Sequence, residues 1–347
     1  MQSSYMIKRA GYSHVLLSLT IALLLVCVLI VFSSDVPLES LIAFFTINLK
    51  SKWYVGNMLD KMTLLIFASI GASFAFKVGL FNLGGEGQVY LAAFLTSILL
   101  KKTYFLPSLP YFILSLLIVL ASLLLLGMFL GALKALYNID ELISSFLLSS
   151  LLAPILNFLI LDGMKEATSN LLATNKIQEE FLMKSLLYPS TLNASFFIAI
   201  LLLITSHLFF VKTKIGYHFR MCGDAKEFAR FAGFNNNAII ITSMGLSAMF
   251  HGLTGFFAIV GTYGLCHINF SHNFGWNAIA ISLIAKKNII YLLPASLFYA
   301  YIESSSDALV AKGMISFNIS IFFSALVFLF ISANFLIRKR PALKETS

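Results

Sequence analysis

One carboxylate inside an apolar stretch is the residue of this chain best placed for polar chemistry. Glu86 stands in the run FNLGGEGQ, with apolar sequence on both sides. A carboxylate at membrane depth costs about 2.5–3.5 kcal/mol on insertion scales, so it usually faces a cavity or a partner. The surrounding glycines permit irregular backbone, which is tolerated at depth only where protein or water satisfies its polar groups. We therefore expect either a broken helix in which Asn82, Glu86 and Gln88 line a solute path, or a plain turn between two spans.

A second polar position follows in the other half of the chain. Trp276 and Asn277 lie in the first of two short apolar pieces, 275–285 and 288–302. Neither piece is long enough for an untilted crossing, which needs about 20 residues. Short or interrupted segments at corresponding places in two halves point to the binding site of a transporter. Trp276 and Asn277 are therefore candidates for the same path, although an interfacial anchor explains Trp276 equally well.

The composition decides which elements hold these groups. The chain has 347 residues, of which 59% are hydrophobic and 11% charged, whereas soluble domains are about 25% charged. This predicts an all-α polytopic membrane protein forming one domain, 1–347, with both termini cytoplasmic and outer loops at about 34–60 and 162–192. About ten membrane-embedded helical elements, some short or broken, are predicted within 1–33, 61–76, 77–100, 110–133, 142–160, 193–210, 238–261, 275–285, 288–302 and 315–336.

The longest polar interruption is the stretch 211–237. Its five basic residues outnumber its two acidic ones, Asp224 and Glu227, which predicts a cytoplasmic location. The pattern DAKEFARF predicts a helix over 224–231, with Asp224 as N-cap, Glu227 completing a capping box and Gly233 at the stop. Exposed apolar residues on such a helix would contact another protein. The alternative is a loop that is merely positively charged.

This stretch also resembles a known segment. Its residue spacing is similar to the coupling segment of ABC-importer permeases, with the matching positions Thr213, Gly216, Arg220, Gly223 and 232–235. A second stretch, 80–88, resembles the FNxGxEGQ signature. That signature is typical of the nucleoside-type members of the simple sugar and nucleoside branch of these permeases. In that family the segment docks into a cytoplasmic ATPase. The resemblance therefore assigns ATPase coupling to Gly216, Arg220, Gly223, Asp224, Glu227, Ala232 and Gly233.

The resemblance implies a permease subunit with several partners. These are a separate ABC ATPase that carries the ATP and magnesium, a second and homologous permease chain, an extracytoplasmic substrate-binding protein, and the bilayer of a bacterial inner membrane. Nucleosides are the favoured solute, and a simple sugar such as ribose or galactose is the alternative. A secondary transporter would need intramembrane carboxylates, for which Glu86, Glu303 and Asp307 qualify.

Two departures from the family pattern concern the second half. Ser247-Ala248 stands where relatives tend to have a serine-glycine pair, and 285–288 departs from a glycine-arginine-asparagine run. These departures bear on the path assignment of Trp276 and Asn277.

The sequence gives no support to catalysis by this chain. It contains no HExxH, GxSxG or GxxxxGK[ST] pattern, and its three cysteines lack CxxC spacing. The net charge of +9 is spread over the ends of spans, which favours the anionic inner leaflet over nucleic acid. We therefore predict a subunit without bound metal or cofactor.

Overall fold

The computed structural model describes residues 2–101, 107–165, 170–286 and 288–338. This part of the chain is helical, with isolated β-bridges as its only extended pairing, so the predicted all-α class is confirmed. The helices are α1 (Gln2–Ser33), α2 (Pro37–Thr46), α3 (Lys52–Lys77), α4 (Gly85–Leu99), α5 (Ser108–Tyr137), α6 (Glu141–Leu159), α7 (Ser195–Lys212), α8 (Lys214–Asp224), α9 (Lys226–Phe231), α10 (Asn236–Phe257), α11 (Phe274–Ile284), α12 (Leu292–Ala311) and α13 (Ile319–Arg338).

Each of the ten predicted elements coincides with one of these helices. Five helical stretches of the described residues are long and apolar enough to cross a membrane, and they contain α3, α5, α6, α7 and α10. A sixth candidate is the pair α11 and α12, which is bent by 120°. In the described part, α3 and α10 are the most buried of the long helices, and they pack against each other in the centre of the bundle.

Contacts at the helix ends define two ends of the bundle. The basic end carries 211–237, where Gly223 lies against the backbone of Lys77 at the end of α3. The loop end carries 170–193, where the Thr191 hydroxyl donates to Asp60 near the start of α3. Helix α3 therefore runs from the loop end to the basic end.

The loop end differs from the sequence prediction. Residues 34–60, predicted as an outer loop, contain α2 and the start of α3. Proline is favourable at the first position of α2 because its missing N–H would be unpaired there anyway. Ser51 caps α3, its hydroxyl accepting from Tyr54 N at 3.4 Å, so α3 begins nine residues before the predicted 61. The described part of 162–192 beyond Met164 is mostly irregular, as expected, and bonds to the backbone of Leu100, Val260 and Gly264.

Two spans are interrupted, and their non-helical stretches enter the bundle from opposite ends. Residues 78–84 return from the basic end into the bundle, and α4 continues from there to the loop end, where Gln178 N donates to Leu100 O. Residues 264–273 enter from the loop end, and α11 continues to the basic end, where Ser282 bonds to α3. Each half of the chain thus supplies one half-length helix that starts inside the bundle.

Candidate translocation site and coupling segment

The two half-length helices meet at their N-termini. A Cβ atom on Gly275 would lie 2.4 Å from Glu86 N, and one on Gly85 would lie 2.9 Å from Gly275 Cα. Only glycine fits at such a backbone contact. A Cβ on Gly85 would also lie 3.1 Å from the ring of His251, a residue near the middle of the span Asn236–Tyr263. The junction is therefore at the centre of the bundle.

Glu86 occupies this junction. Its carboxylate accepts a hydrogen bond from Trp276 N at 2.9 Å. The first amides of a helix have no partner within the helix and carry partial positive charge. The carboxylate of one half-helix therefore caps the other, across 190 residues of sequence.

The side chains of Asn82 and Gln88 bond to each other and to α10. Asn82 Nδ2 donates to Gln88 Oε1 at 2.9 Å and to Ser247 Oγ at 3.0 Å, and both amide residues are fully buried. His251 Nδ1 lies 2.8 Å from Gln88 Oε1 and therefore carries the donated proton. Together these bonds fasten the break at 78–84 to α10, which makes Asn82 and Gln88 internal supports of the junction.

Two serines of α6 complete this support. Ser145 Oγ accepts from Leu83 N at 3.0 Å, and Ser149 Oγ accepts from Gly87 N at 2.7 Å. These amides have no carbonyl partner within a helix because they precede or open α4. A hydroxyl on a membrane helix often bonds only to its own helix, so no pattern in the sequence indicated this role specifically.

Trp276 and Asn277 point to different surroundings. Trp276 is 36% exposed, and its ring packs edge-on against Phe328 at 6.4 Å. Asn277 is buried, donates to Glu303 Oε2 at 3.3 Å and accepts from Ser324 Oγ at 3.2 Å. Of the predicted path residues, Glu86 and Trp276 therefore lie at the partly exposed side of the junction.

An ion cluster supports Asn277 from behind. Lys61 on α3 pairs with Glu303 at 3.4 Å and also with Asp307, both on α12. The Glu303 side chain is 10% exposed and that of Lys61 20%. Glu303 and Asp307, which the sequence offers as carboxylates for ion coupling, are thus paired with a cation. Lys61 was not anticipated as their partner, because no local pattern connects it with α12.

The coupling segment, 213–235, forms two helices. Thr213 Oγ1 accepts from Gly216 N at 3.0 Å and caps α8. The prediction that Asp224 caps the next helix is wrong, because α8 continues through Asp224 and Ala225 N donates to Met221 O at 2.9 Å. Helix α9 has no side-chain cap, so the predicted capping box with Glu227 is wrong as well.

The predicted stop at Gly233 is confirmed. Gly233 has φ +80°, and Phe234 N donates to Ala229 O at 3.0 Å while Gly233 N donates to Arg230 O at 3.1 Å. This pair of bonds is a Schellman motif, which favours glycine at the left-handed position.

Glycines set the segment closely against the bundle. A Cβ on Gly216 would lie 2.2 Å from Phe209 O, and one on Gly223 would lie 2.0 Å from Lys77 O. Arg220 stacks over the Tyr217 ring at 5.9 Å. Burial raises the pKa of the Cys222 thiol on the same helix, which keeps it protonated and consistent with a packing role.

The outer surface of the segment carries exposed aromatic side chains among charged ones. Phe231 is 88% exposed and Phe228 56%, and Asp224, Glu227 and Ala232 are exposed beside them. These two large aromatic side chains on one short helix are not covered by the described part of the chain. Such exposed apolar groups are typical of a surface that binds another protein.

These features define a class of protein before any comparison. The described chain is a multi-pass helical bundle with two opposed half-helices at its centre and, at its basic end, a short helix that exposes Phe228 and Phe231. The comparisons give the family: residues 54–332 match the model described as "Branched-chain amino acid transport system / permease component". The chain therefore belongs to this family of ABC transporter permeases, the non-catalytic membrane subunits of ATP-driven importers, which work with an ATPase and a binding protein.

Named relatives cover most of the chain. It is 37% identical over 305 residues to the probable riboflavin import permease protein RfuC of Treponema pallidum, covering 88% of this chain and 81% of that protein. It is 26% identical to the nucleoside ABC transporter permease protein NupB of Lactococcus lactis, over 82% and 80%. It is 24% identical to the glucose ABC transporter permease protein TsgB13 of Haloferax volcanii, over 88% and 83%. No solved structure was found to match.

Proposed function

We propose that this permease carries nucleosides into the cell through a path that passes the junction of α4 and α11. The relatives named above carry a nucleoside, riboflavin or glucose by their names. Two of these three solutes place a nitrogen heterocycle on a hydroxylated chain, and 80–88 has the signature of the nucleoside-type group. An exposed indole beside the junction suits a flat heterocycle better than it suits a sugar alone.

We further propose the partners and the orientation. The basic end lies in the cytoplasm, where α8 and α9 bind the ABC ATPase that holds ATP and magnesium, and the loop end meets the substrate-binding protein. A second, homologous permease completes the path, in a bacterial inner membrane. The excess of basic residues at 211–237 supports this orientation.

One observation carries the mechanism. Gly223 of α8 lies against the Lys77 and Val78 backbone, and Val78 begins the return stretch that leads to Glu86. A displacement of the coupling segment by the ATPase would therefore act on the broken span itself, eight residues from Glu86. Buried amides and serines hold this stretch to α10 and α6, so the junction would move with those helices. ATP binding and binding of the loaded receptor would then shift the balance between the state open to one side of the membrane and the state open to the other.

The docking surface is tested with Phe231→Ser. The exposed ring makes little contact within the chain, so folding should be unchanged, whereas an aromatic anchor at an interface contributes about 2 kcal/mol or more. We expect binding of the purified ATPase to weaken at least tenfold, with a matching loss of ATP-dependent uptake. Tyr188→Ser is the matched control, because Tyr188 is 87% exposed at the loop end. Unchanged ATPase binding in the Phe231 variant would contradict the docking role.

The solute and the energy source are tested in proteoliposomes that contain the complete importer. Guanosine and uridine should be taken up with ATP, and riboflavin and ribose are offered as competitors. Uptake of ribose without nucleoside uptake would favour the sugar alternative. Uptake driven by a proton or sodium gradient without ATP would favour a secondary transporter.

A further inference from the structure

We propose that Asn157, Asn269 and Asn273 form an amide patch that reads the polar edges of a nucleoside while its base lies against Trp276. The inference rests on the proposed function and names residues that recognise the solute. These three asparagines were not among the path residues predicted from the sequence.

The segment before α11 has one exposed polar face and one buried aromatic face. Asn269 and Asn273 are exposed and Ser271 is partly exposed, whereas Phe270 and Phe274 are buried. The buried members of this alternation pack with Tyr263 and neighbouring histidine rings. The packed face therefore fixes the segment, and the polar face is presented outward.

Backbone conformation at the patch is unusual. Asn269 has φ +54° and Asn273 φ +59°, and the intervening His272 has φ +49°. Left-handed conformations are uncommon outside glycine, although asparagine tolerates them better than most residues. Such conformations persist only where the surroundings impose them, and they cluster at ligand sites.

Asn157 and Asn269 hold each other in place. Asn157 Nδ2 donates to Asn269 Oδ1 at 2.8 Å, and Asn269 N donates to Asn157 Oδ1 at 3.0 Å. Tyr90 also donates to Asn157 Oδ1 at 2.6 Å, which fixes the orientation of this amide. The exposed Asn269 Nδ2 group is left without a bond inside the described part of the chain, and it is held in position to donate.

Within the described residues the Asn273 side chain has no hydrogen-bond partner, for a different reason. It occupies the N-cap position of α11, yet its side chain makes no capping bond. Asparagine at this position normally accepts from an amide of the first turn. Here Glu86 accepts from Trp276 N instead, so the Asn273 amide is available to a ligand.

The position of the patch requires water or protein beside it. Tyr90 stands one helical turn beyond Glu86, so the patch lies between the central junction and the loop end. Hydrocarbon cannot satisfy exposed amides at that depth. The face therefore lies against water or protein, as it would beside a path shared with a second permease.

The chemistry of the patch fits a neutral heterocycle. A side-chain amide can donate and accept together, as asparagine does with the adenine edge. Trp276 lies one turn from Asn273 on α11 and offers a flat aromatic face. One carboxylate oxygen of Glu86 accepts from Trp276 N, and the exposed polar groups next to it are the amides of Asn269 and Asn273.

The test uses glycine, which accepts a positive φ without strain. Asn269→Gly and Asn273→Gly remove the amides and keep the backbone, and Asn138→Gly is the matched control, because Asn138 is exposed with φ +54° at the end of α5. The complete importer in proteoliposomes is supplied with saturating receptor loaded with guanosine or uridine. Uptake and ATP hydrolysis are measured together, and the readout is the number of nucleosides imported per ATP hydrolysed.

We expect the Asn269→Gly/Asn273→Gly double variant to import about tenfold fewer nucleosides per ATP, while receptor-stimulated hydrolysis stays within about twofold of the control, since tenfold corresponds to the loss of about 1.4 kcal/mol of recognition. A purely structural role would lower hydrolysis and uptake together. Unchanged import per ATP, or a parallel loss of both activities, would overturn the inference and leave the proposed function standing. Absence of nucleoside uptake by the unaltered importer would overturn both.

Discussion

The two broken spans of this molecule both interrupt a membrane helix inside the bundle, but they differ in how the polar groups at the break are placed. The first, 78–99, breaks at a glycine-rich turn whose backbone amides donate to buried side-chain oxygens, Gly84 N to Asn82, Leu83 N to Ser145 and Gly87 N to Ser149. The second, 264–284, breaks in a segment that holds three non-glycine residues in left-handed conformations and leaves the side chains of Asn269 and Asn273 exposed. The first span is thus fastened to the bundle, and the second is the one that presents polar groups outward.

This contrast suggests that the two spans have different roles in transport. The first span is in direct contact with the coupling segment through Val78, which lies against Gly223, and it would transmit movement. The second is supported by the ion cluster of Lys61, Glu303 and Asp307 through Asn277, and it would keep the recognition groups in register. The substitutions below test how far the two spans differ.

The largest effect is expected at the glycine contact between the spans. Gly275→Ala should lower stability by more than about 3 kcal/mol and abolish uptake, because its Cβ would overlap the rigid backbone of Glu86. Gly85→Ala should be milder, since its nearest contacts are 2.9 Å or longer. Thermal unfolding in detergent measures both.

Gly163→Ala serves as the control for this pair, because a Cβ on Gly163 meets nothing within 4 Å. Equal unfolding temperatures for Gly275→Ala and Gly163→Ala would contradict the close contact of the half-helices.

The next effect concerns the ion cluster behind the second span. Lys61→Met should cost about 2–4 kcal/mol, because it leaves two carboxylates without their cation in a partly buried place. Adding Glu303→Gln should recover part of the loss, since fewer uncompensated charges then remain. A thermal-unfolding double-mutant cycle gives the coupling energy.

Lys176→Met is the matched control for the ion cluster. Lys176 and Glu179 are 4.0 Å apart with side chains 56% and 90% exposed, and exposed pairs contribute between about 0 and 1 kcal/mol. A Lys61 variant as stable as this control would show that the second span does not depend on the cluster.

The smallest effect is expected where the first span caps the second. Glu86→Gln keeps an oxygen that can accept from Trp276 N but removes the negative charge at the start of α11. A charge at a helix terminus contributes about 0.3–1 kcal/mol in exposed sites and up to about 2 kcal/mol in partly buried ones. We expect a fall in the unfolding temperature of a few degrees. The unfolding temperature of Glu86→Leu, which also removes the hydrogen-bond acceptor, should fall further. Equal unfolding temperatures for the two variants would argue against the cap.

Much of this architecture could be predicted from the sequence, and the errors have identifiable causes. Each of the ten predicted elements coincides with a helix because apolar length and polar interruptions are local properties, although α3 begins nine residues before its predicted start. The helix cap at Asp224 was misplaced because a capping pattern competes with continuation of the preceding helix, and Thr213 had already started that helix. The outer segment 34–60 was assigned to a loop because its polar residues concealed α2 and the start of α3.

The candidate site was predicted less completely than the fold. Asn82, Glu86 and Gln88 were identified together, but two of them are buried supports and only Glu86 reaches the other half-helix. No pattern within a window of a few residues indicates that Asn157 pairs with Asn269 or that Lys61 pairs with Glu303. Such contacts depend on how distant helices pack.

The sequence by itself determined the class of the protein, the positions of its membrane helices, the two interruptions and the basic segment between α7 and α10. Hydrophobicity, glycine content and charge act locally, so they can be read from neighbouring residues. The tertiary structure alone decided that the two interruptions meet, that a carboxylate of one caps the other, and which amides are buried and which exposed. Those outcomes depend on contacts between residues separated by 100 positions or more, such as the 112 between Asn157 and Asn269, and only the packed bundle brings them together.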